Sequence, residues 1–177
     1  MNGNENRGGS PAAQSGGESA AEDGFDGFTG FSPRKPVKTV IVGSTGRMGA
    51  MLLERARAAG LTVEGVDVPL TPEILAPACA GADVAIICVP AAVFKEVIAA
   101  VCPHLPPTAV LADITSVKEI PLQQMEAAWP GPVVGTHPLF GPQPDPEADQ
   151  PVAIVPGVNA GQQHVELASG FFTALGC

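Results

Sequence analysis

Positive charge is scarce in this sequence: nine Lys and Arg stand against eighteen Asp and Glu, a formal net charge of −9. A general nucleic-acid binder is therefore excluded, because neutralising phosphates needs clustered cations and none are clustered here. An anionic ligand has to be held locally, by a loop, a helix end or a few single cations. Cysteine is also sparse. Cys79, Cys88, Cys102 and Cys177 are widely spaced and form no C-x-x-C pair, which points to reduced thiols in a cytoplasmic protein and implies no metal site. Cys88, inside VAIICVP, reads as a small buried hydrophobe. Long apolar runs are missing too. The most apolar stretch, from Val84 to Phe94, is broken by Pro90 and is too short to span a bilayer. Residues 1–30 contain no apolar segment of the kind a secretory leader needs. A soluble protein that binds no membrane is expected.

What is present is enough for one domain: 177 residues, 45% of them hydrophobic. Residues 1–36 are rich in Gly, Ser, Glu and Asp and low in aliphatics, so they are expected to form a disordered tail. Phe25, Phe28 and Phe31 in FDGFTGF offer the alternative of a short docking segment. From Val37 the pattern changes to short β-branched runs alternating with helical stretches, the signature of βαβ units. The strands expected are VKTVIVG, LTVEGVD, ADVAIICV, AVLADI, PVVGTH and PVAIVP. Helices are expected near Gly46 to Ala59, Pro72 to Ala80, Ala91 to Val101, Val117 to Ala128 and Asn159 to Leu175. This order predicts an α/β, doubly wound Rossmann fold over residues 37–177 with a mostly parallel sheet, whose ligands sit beyond the carboxyl ends of the strands.

The segment VIVGSTGRMGAMLLERA sets Gly43, Ser44, Thr45, Gly46, Arg47, Met48 and Gly49 between an apolar strand and an amphipathic helix. Gly46 would let the backbone approach a pyrophosphate, Gly49 would let helix and strand pack closely, and the free N–H groups at the helix start would face the anion. The loop departs from G-x-G-x-x-G because Ser44 stands at the first position. Asp67 ends the second strand about 20 residues farther on, where a carboxylate can accept hydrogen bonds from the adenosine ribose. It favours NAD over NADP, since a 2′-phosphate would meet a like charge. Arg47 leaves two roles open, pairing with a phosphate or standing solvated in the first helical turn. Val89 and Pro90 follow the third strand, where they either run under the nicotinamide or simply terminate the strand.

Two further segments end at the same sheet edge: LADITSVKEIPLQQM, with Asp113, Ser116 and Lys118, and VVGTHPLFGP, with His137. A neutral imidazole is suited to taking a hydroxyl proton at neutral pH. Ser116 could otherwise cap the helix starting at Val117, and Lys118 either steadies a phosphate or substrate or lies on the surface. His104 and His164 read as surface residues.

Together, VGSTGRMG, DITSVK followed by PLQQM, and above all GTHPLFGP resemble the amino-terminal domain of the prephenate dehydrogenase family, over Val37 to Cys177. The resemblance implies NAD-dependent oxidative decarboxylation of prephenate to 4-hydroxyphenylpyruvate in tyrosine biosynthesis. His137 would accept or polarise the proton of the substrate's 4-hydroxyl, and Ser116 would hydrogen-bond that hydroxyl and His137. It also implies a helical second domain that forms a homodimer and supplies cations for the substrate's carboxylates. No such domain follows here, so the chain is expected to be a fragment that binds dinucleotide and turns over prephenate poorly or not at all.

Three other readings remain open at this level. An arogenate-specific enzyme would keep the same site. An enzyme like dihydrodipicolinate reductase shares the GRMG loop but leaves HPLFGP without a role. A non-catalytic module that senses dinucleotide would use the loop alone.

Overall fold

The computed structural model describes Met1 and residues 36–177. The expected tail and its Phe25, Phe28 and Phe31 fall outside the described residues, apart from Met1 and Pro36. Residues from Lys35 to Cys177 form one compact unit.

Six strands build one sheet: β1 (Lys38–Val42), β2 (Thr62–Val66), β3 (Val84–Ile87), β4 (Val110–Asp113), β5 (Val133–Pro138) and β6 (Val152–Pro156). Their spatial order is β2-β1-β3-β4-β5-β6. The first five run parallel, and β6 pairs antiparallel with β5. The helices are α1 (Arg47–Ala58), α2 (Pro72–Cys79), α3 (Phe94–Val101), α4 (Glu119–Ala128) and α5 (Gln162–Ala174). The sheet is doubly wound, as the order of elements in the sequence predicts.

Alternate strand residues feed two cores. Val40, Val42, Ala85, Ile87 and Leu111 face Leu75 of α2, Phe94 and Ile98 of α3 and Met125 of α4. Ile41, Val84, Ile86, Val110 and Ala112 face Leu52 of α1 and Phe171 and Phe172 of α5. Covering both faces explains why β3 and β4 are buried at every position and read as apolar runs, Asp113 at the end of β4 excepted. Each fully buried Leu, Ile or Phe contributes about 1.5–3 kcal/mol of transfer free energy, and these two layers fix the strands that carry the site.

Helix starts differ from the sequence expectation in three places. The segment from Ala91 opens with a 3-10 turn, Ala91–Val93, before α3. α5 starts at Gln162 rather than near Asn159, and the Gly161 N–H donates to Nδ1 of His164 at 3.0 Å. His164 is a partly exposed acceptor at the start of this helix. α4 starts at Glu119, not Val117. Pro121 accounts for the delay: it has no N–H to give the Val117 carbonyl four residues back and its ring is tolerated only in a first helical turn, so the helix begins at Glu119 and the Thr115 hydroxyl stands between the Asp113 carboxylate and the Val117 carbonyl.

Candidate functional site

β2 lies on one side of β1 and β3 on the other, so the chain reverses its direction of winding between β1 and β3. The carboxyl ends of these two strands therefore flank the crevice where ligands of such sheets bind. The loops that leave them touch. Gly43, at φ +86°, has a backbone conformation that L side chains rarely adopt, and a Cβ there would lie 2.6 Å from the Cys88 carbonyl oxygen and 2.8 Å from Cγ1 of Val89. A Cβ on Gly49 would stand 2.1 Å from the Gly43 carbonyl oxygen. α1 can pack this tightly on the loop only with glycine at position 49. The loop is also pinned to β2, since the N–H groups of Gly43 and Ser44 both donate to the Val66 carbonyl, at 2.9 and 3.1 Å.

Gly46 is the N-cap of α1, and neither a side-chain cap nor an acidic residue occupies the first turn. The leading N–H groups of a helix have no intrahelical acceptor. Here they open onto a cleft of about 680 Å³ lined by Gly46, Arg47, Met48, Val89, Pro90 and Ser116, with Phe94 and Gln124 among its other walls. Across Val89 and Pro90 lies a smaller apolar pocket of about 190 Å³, which Gly43, Asp67, Val68 and Leu70 help to line.

Asp67 is tied to the glycine loop. Its Oδ2 accepts the Thr45 N–H at 2.8 Å and the Thr45 hydroxyl at 2.7 Å, and its Oδ1 accepts the Val68 N–H at 2.8 Å. Burial alone would raise this carboxyl, but the three hydrogen bonds outweigh it and hold the group below its ordinary value of 3.8. Asp67 is therefore a firmly ionised acceptor at neutral pH.

On the other side of the cleft, β4 and β5 run parallel with Asp113 beside Gly135, so residues 114–118 and 136–138 emerge at one edge. Ser116 is exposed and lines the cleft, while His137 is partly buried at the end of β5 and lies outside the cleft wall. No hydrogen bond joins Ser116 to His137 among the described residues. Nor does Ser116 cap a helix, because the N-cap of α4 is Lys118. Of the residues that the sequence marks, Gly46, Arg47, Met48, Val89, Pro90 and Ser116 meet in the larger cleft. Gly43 and Asp67 meet in the smaller pocket. Ser44, Thr45, Gly49 and His137 line neither.

Lys118 is neither a surface residue nor free to steady a phosphate. Its ammonium contacts Asp113 at 2.8 and 2.7 Å and the Thr136 carbonyl at 2.5 Å. Asp113 is fully buried and also accepts the Thr115 N–H at 2.9 Å, while its own carbonyl accepts the Thr136 hydroxyl. Burial lowers the Lys118 ammonium against the opposing pull of Asp113. Gly135 makes room for this lysine, since a Cβ there would come within 2.9 Å of its Cδ. The network joins DITSVK to GTHP, and the signals that could have revealed it are the lone polar residues, Asp113 and Thr136, in otherwise apolar buried strands. Cys88 borders the cleft, but burial first and Asp113 second push its thiol well up, which makes it a poor nucleophile.

Among the described residues no group of three or more His, Cys, Asp or Glu is placed to hold a metal ion. None of their helices is long and apolar enough to cross a membrane.

Comparison with known proteins bears on this site. The sequence profile described as "Prephenate dehydrogenase, nucleotide-binding domain" matches residues 54–177, starting just past the glycine loop. A T-protein from Enterobacter agglomerans is 40% identical over 118 residues, 67% of this chain and 31% of that protein. A probable arogenate/prephenate dehydrogenase from Methanocaldococcus jannaschii is 41% identical over 76 residues, 42% of this chain and 17% of that protein. The chain thus spans less than a third of the length of these relatives. In fold it is similar to Synechocystis arogenate dehydrogenase, with TM-score 0.64 and 22% identity over 79% of this chain and 57% of that one. Prephenate dehydrogenase from Aquifex aeolicus in complex with hydroxyphenyl propionate and NAD+ gives TM-score 0.62 and 18% identity over 78% of this chain and 57% of that one. With a family match over most of its length and the family's fold, the chain belongs to the prephenate dehydrogenase family, as its nucleotide-binding domain.

Proposed function

We propose that this chain supplies the NAD-binding half of an enzyme that oxidatively decarboxylates prephenate to 4-hydroxyphenylpyruvate in tyrosine biosynthesis. The observation that carries the reading is the convergence of the uncapped α1 N-terminus, Val89–Pro90 and Ser116 on one cleft at the winding reversal. The donors present fit a dinucleotide. The Gly46–Gly49 N–H groups and Arg47 suit a pyrophosphate, the ionised Asp67 suits ribose hydroxyls, and the 190 Å³ apolar pocket beside it suits an adenine ring. The same carboxylate disfavours a 2′-phosphate, hence NAD rather than NADP.

When bound, the nicotinamide supplies the acceptor for the hydride that leaves the carbinol carbon of the substrate. His137 takes the proton from the 4-hydroxyl as that hydride departs. Ser116 donates to or accepts from the same hydroxyl and aligns it with the imidazole. Loss of the ring carboxylate as carbon dioxide then returns its electron pair to the ring, and the proton goes back to the oxygen as the phenol forms. Because aromatisation drives the step, the protein's work is mainly alignment.

Arg47 is the one cation lining the cleft among the described residues, and the pyrophosphate engages it. The substrate's two carboxylates are accordingly received by residues outside 36–177, in a helical domain that also forms a homodimer. The four free thiols suit a cytoplasmic setting. The test is NADH formation with prephenate, and separately with arogenate, using this chain and the longest natural form of the protein. Activity with prephenate in the long form only is expected. Preference for arogenate would reassign the substrate, and inactivity of both forms with both substrates would favour a dinucleotide-sensing module.

A further inference from the structure

Among the described residues Asp67 is the one carboxylate that lines the smaller pocket, which Thr45 does not line. Thr45 nevertheless spends both of its donors on one oxygen of Asp67, the N–H at 2.8 Å and the hydroxyl at 2.7 Å. With the Val68 N–H on the other oxygen at 2.8 Å, the carboxylate has donors on both sides and one fixed orientation. We infer that Thr45 is a specificity-determining positioning residue, which rejects 2′-phosphorylated dinucleotides by preventing Asp67 from swinging aside; this rests on the dinucleotide reading above.

The two kinds of dinucleotide make different demands on Asp67. A free ribose hydroxyl donates to the carboxylate where it stands: Oδ2 already accepts two bonds and Oδ1 one, and the lone pair left on Oδ1 accepts without breaking the Thr45 bonds. A 2′-phosphate brings a second anion to the same place. It can be accommodated only if Asp67 rotates away or takes up a proton. Rotation breaks charge-assisted hydrogen bonds, which are stronger than neutral ones, and protonation is opposed by the same donors that hold the carboxyl below its ordinary value. Thr45 therefore sharpens a discrimination that a loosely held aspartate would make less well. Selectivity of this kind is a difference between two affinities, and the repulsive element counts only if it cannot relax.

The loop supports this role. Ser44, the preceding residue, is anchored through its N–H to the Val66 carbonyl at 3.1 Å, one residue before Asp67. Thr45 and Asp67 are thus both attached to the end of β2, and the Thr45 hydroxyl adds a side-chain link to that backbone link.

The experiment is direct titration of NAD+ and NADP+ into the chain, as found and as Thr45→Val, Thr45→Ser and Asp67→Asn variants. No catalytic activity is required. Thr45→Val keeps the shape and the backbone donor and removes only the hydroxyl. It is expected to narrow the ratio of NAD+ to NADP+ affinity by about fivefold, while Thr45→Ser retains the ratio and Asp67→Asn loses most of it. In parallel, the Asp67 carboxyl carbon followed by NMR is expected to titrate at higher pH in Thr45→Val than in the parent chain. A ratio and a carboxyl titration unchanged in Thr45→Val, with the ratio lost in Asp67→Asn, would overturn the role of Thr45 and leave the dinucleotide site standing. A parent chain that binds neither dinucleotide would overturn the proposed site and this inference with it.

Discussion

The Lys118 ammonium reaches both carboxylate oxygens of Asp113 and, at 2.5 Å, the Thr136 carbonyl, so one side chain ties the loop that carries Ser116 to the residue preceding His137. Asp113 is fully buried and Lys118 nearly so, with side-chain exposures of 0% and 14%. Such a pair is not a strong source of net stability, but removing one partner leaves a charge buried alone. Lys118→Met is expected to lower unfolding free energy by about 3 kcal/mol, measured by chemical denaturation. The double variant with Asp113→Asn should recover part of that loss. A Lys118→Met protein as stable as the parent would show that the pair is not formed in solution.

Asp67 gives the fold an acid-sensitive link between loop and strand. Its folded carboxyl titrates below the ordinary 3.8, so its contribution is complete above that value and is lost as pH falls through the lower, folded one. Thermal unfolding followed from pH 6 downward should therefore show a fall in Tm below about pH 4 that is shallower in Asp67→Asn. Parallel curves for the two proteins would remove Asp67 from the list of groups that stabilise the loop.

Gly49 is the tightest point of the loop. A Cβ there would lie 2.1 Å from the Gly43 carbonyl oxygen and 2.9 Å from its carbon, both backbone atoms that cannot give way by rotation. Gly49→Ala is expected to cost about 1–3 kcal/mol or more through forced backbone shifts and to abolish NAD+ binding. Denaturation and titration on the same sample check both. A normal affinity in Gly49→Ala would mean that the helix start does not hold the pyrophosphate.

His137 and Ser116 carry the proposed chemistry. In the longest natural form of the protein, His137→Asn should lower kcat by about 10²–10⁴-fold, the range of general-base contributions, with little change in NAD+ affinity. Ser116→Ala should have a smaller effect in the same direction. Steady-state NADH formation separates the two constants, and a His137→Asn enzyme with normal kcat would assign the proton to another group.

Much of this was legible in the sequence because two periods dominate it. Strand β3 is an apolar run bounded by Asp83 and Pro90, β4 one bounded by Thr108 and Asp113, and α1 follows directly from a glycine loop. Strand order was legible only in outline, and the antiparallel turn of β6 was not, because PVAIVP reads the same in either direction of pairing. Asp67, Ser116 and His137 stand out as candidates in the sequence because they follow strands and carry unusual chemistry there. Lys118 was not resolved from a surface lysine, since its burial depends on Gly135 of another strand leaving room for its stem. Thr115 was missed for a related reason. Its hydroxyl stands between the Asp113 carboxylate and the Val117 carbonyl, a local arrangement that no hydrophobic pattern records.

Titration of NAD+ into the chain, followed by backbone amide NMR shifts, tests the cleft assignment most directly. Saturable shifts are expected at Gly46–Gly49, Thr45, Asp67, Val89 and Ser116. No saturable binding, or shifts confined to the groove between α3 and α4 around Lys95, Ala99 and Gln123, would contradict it.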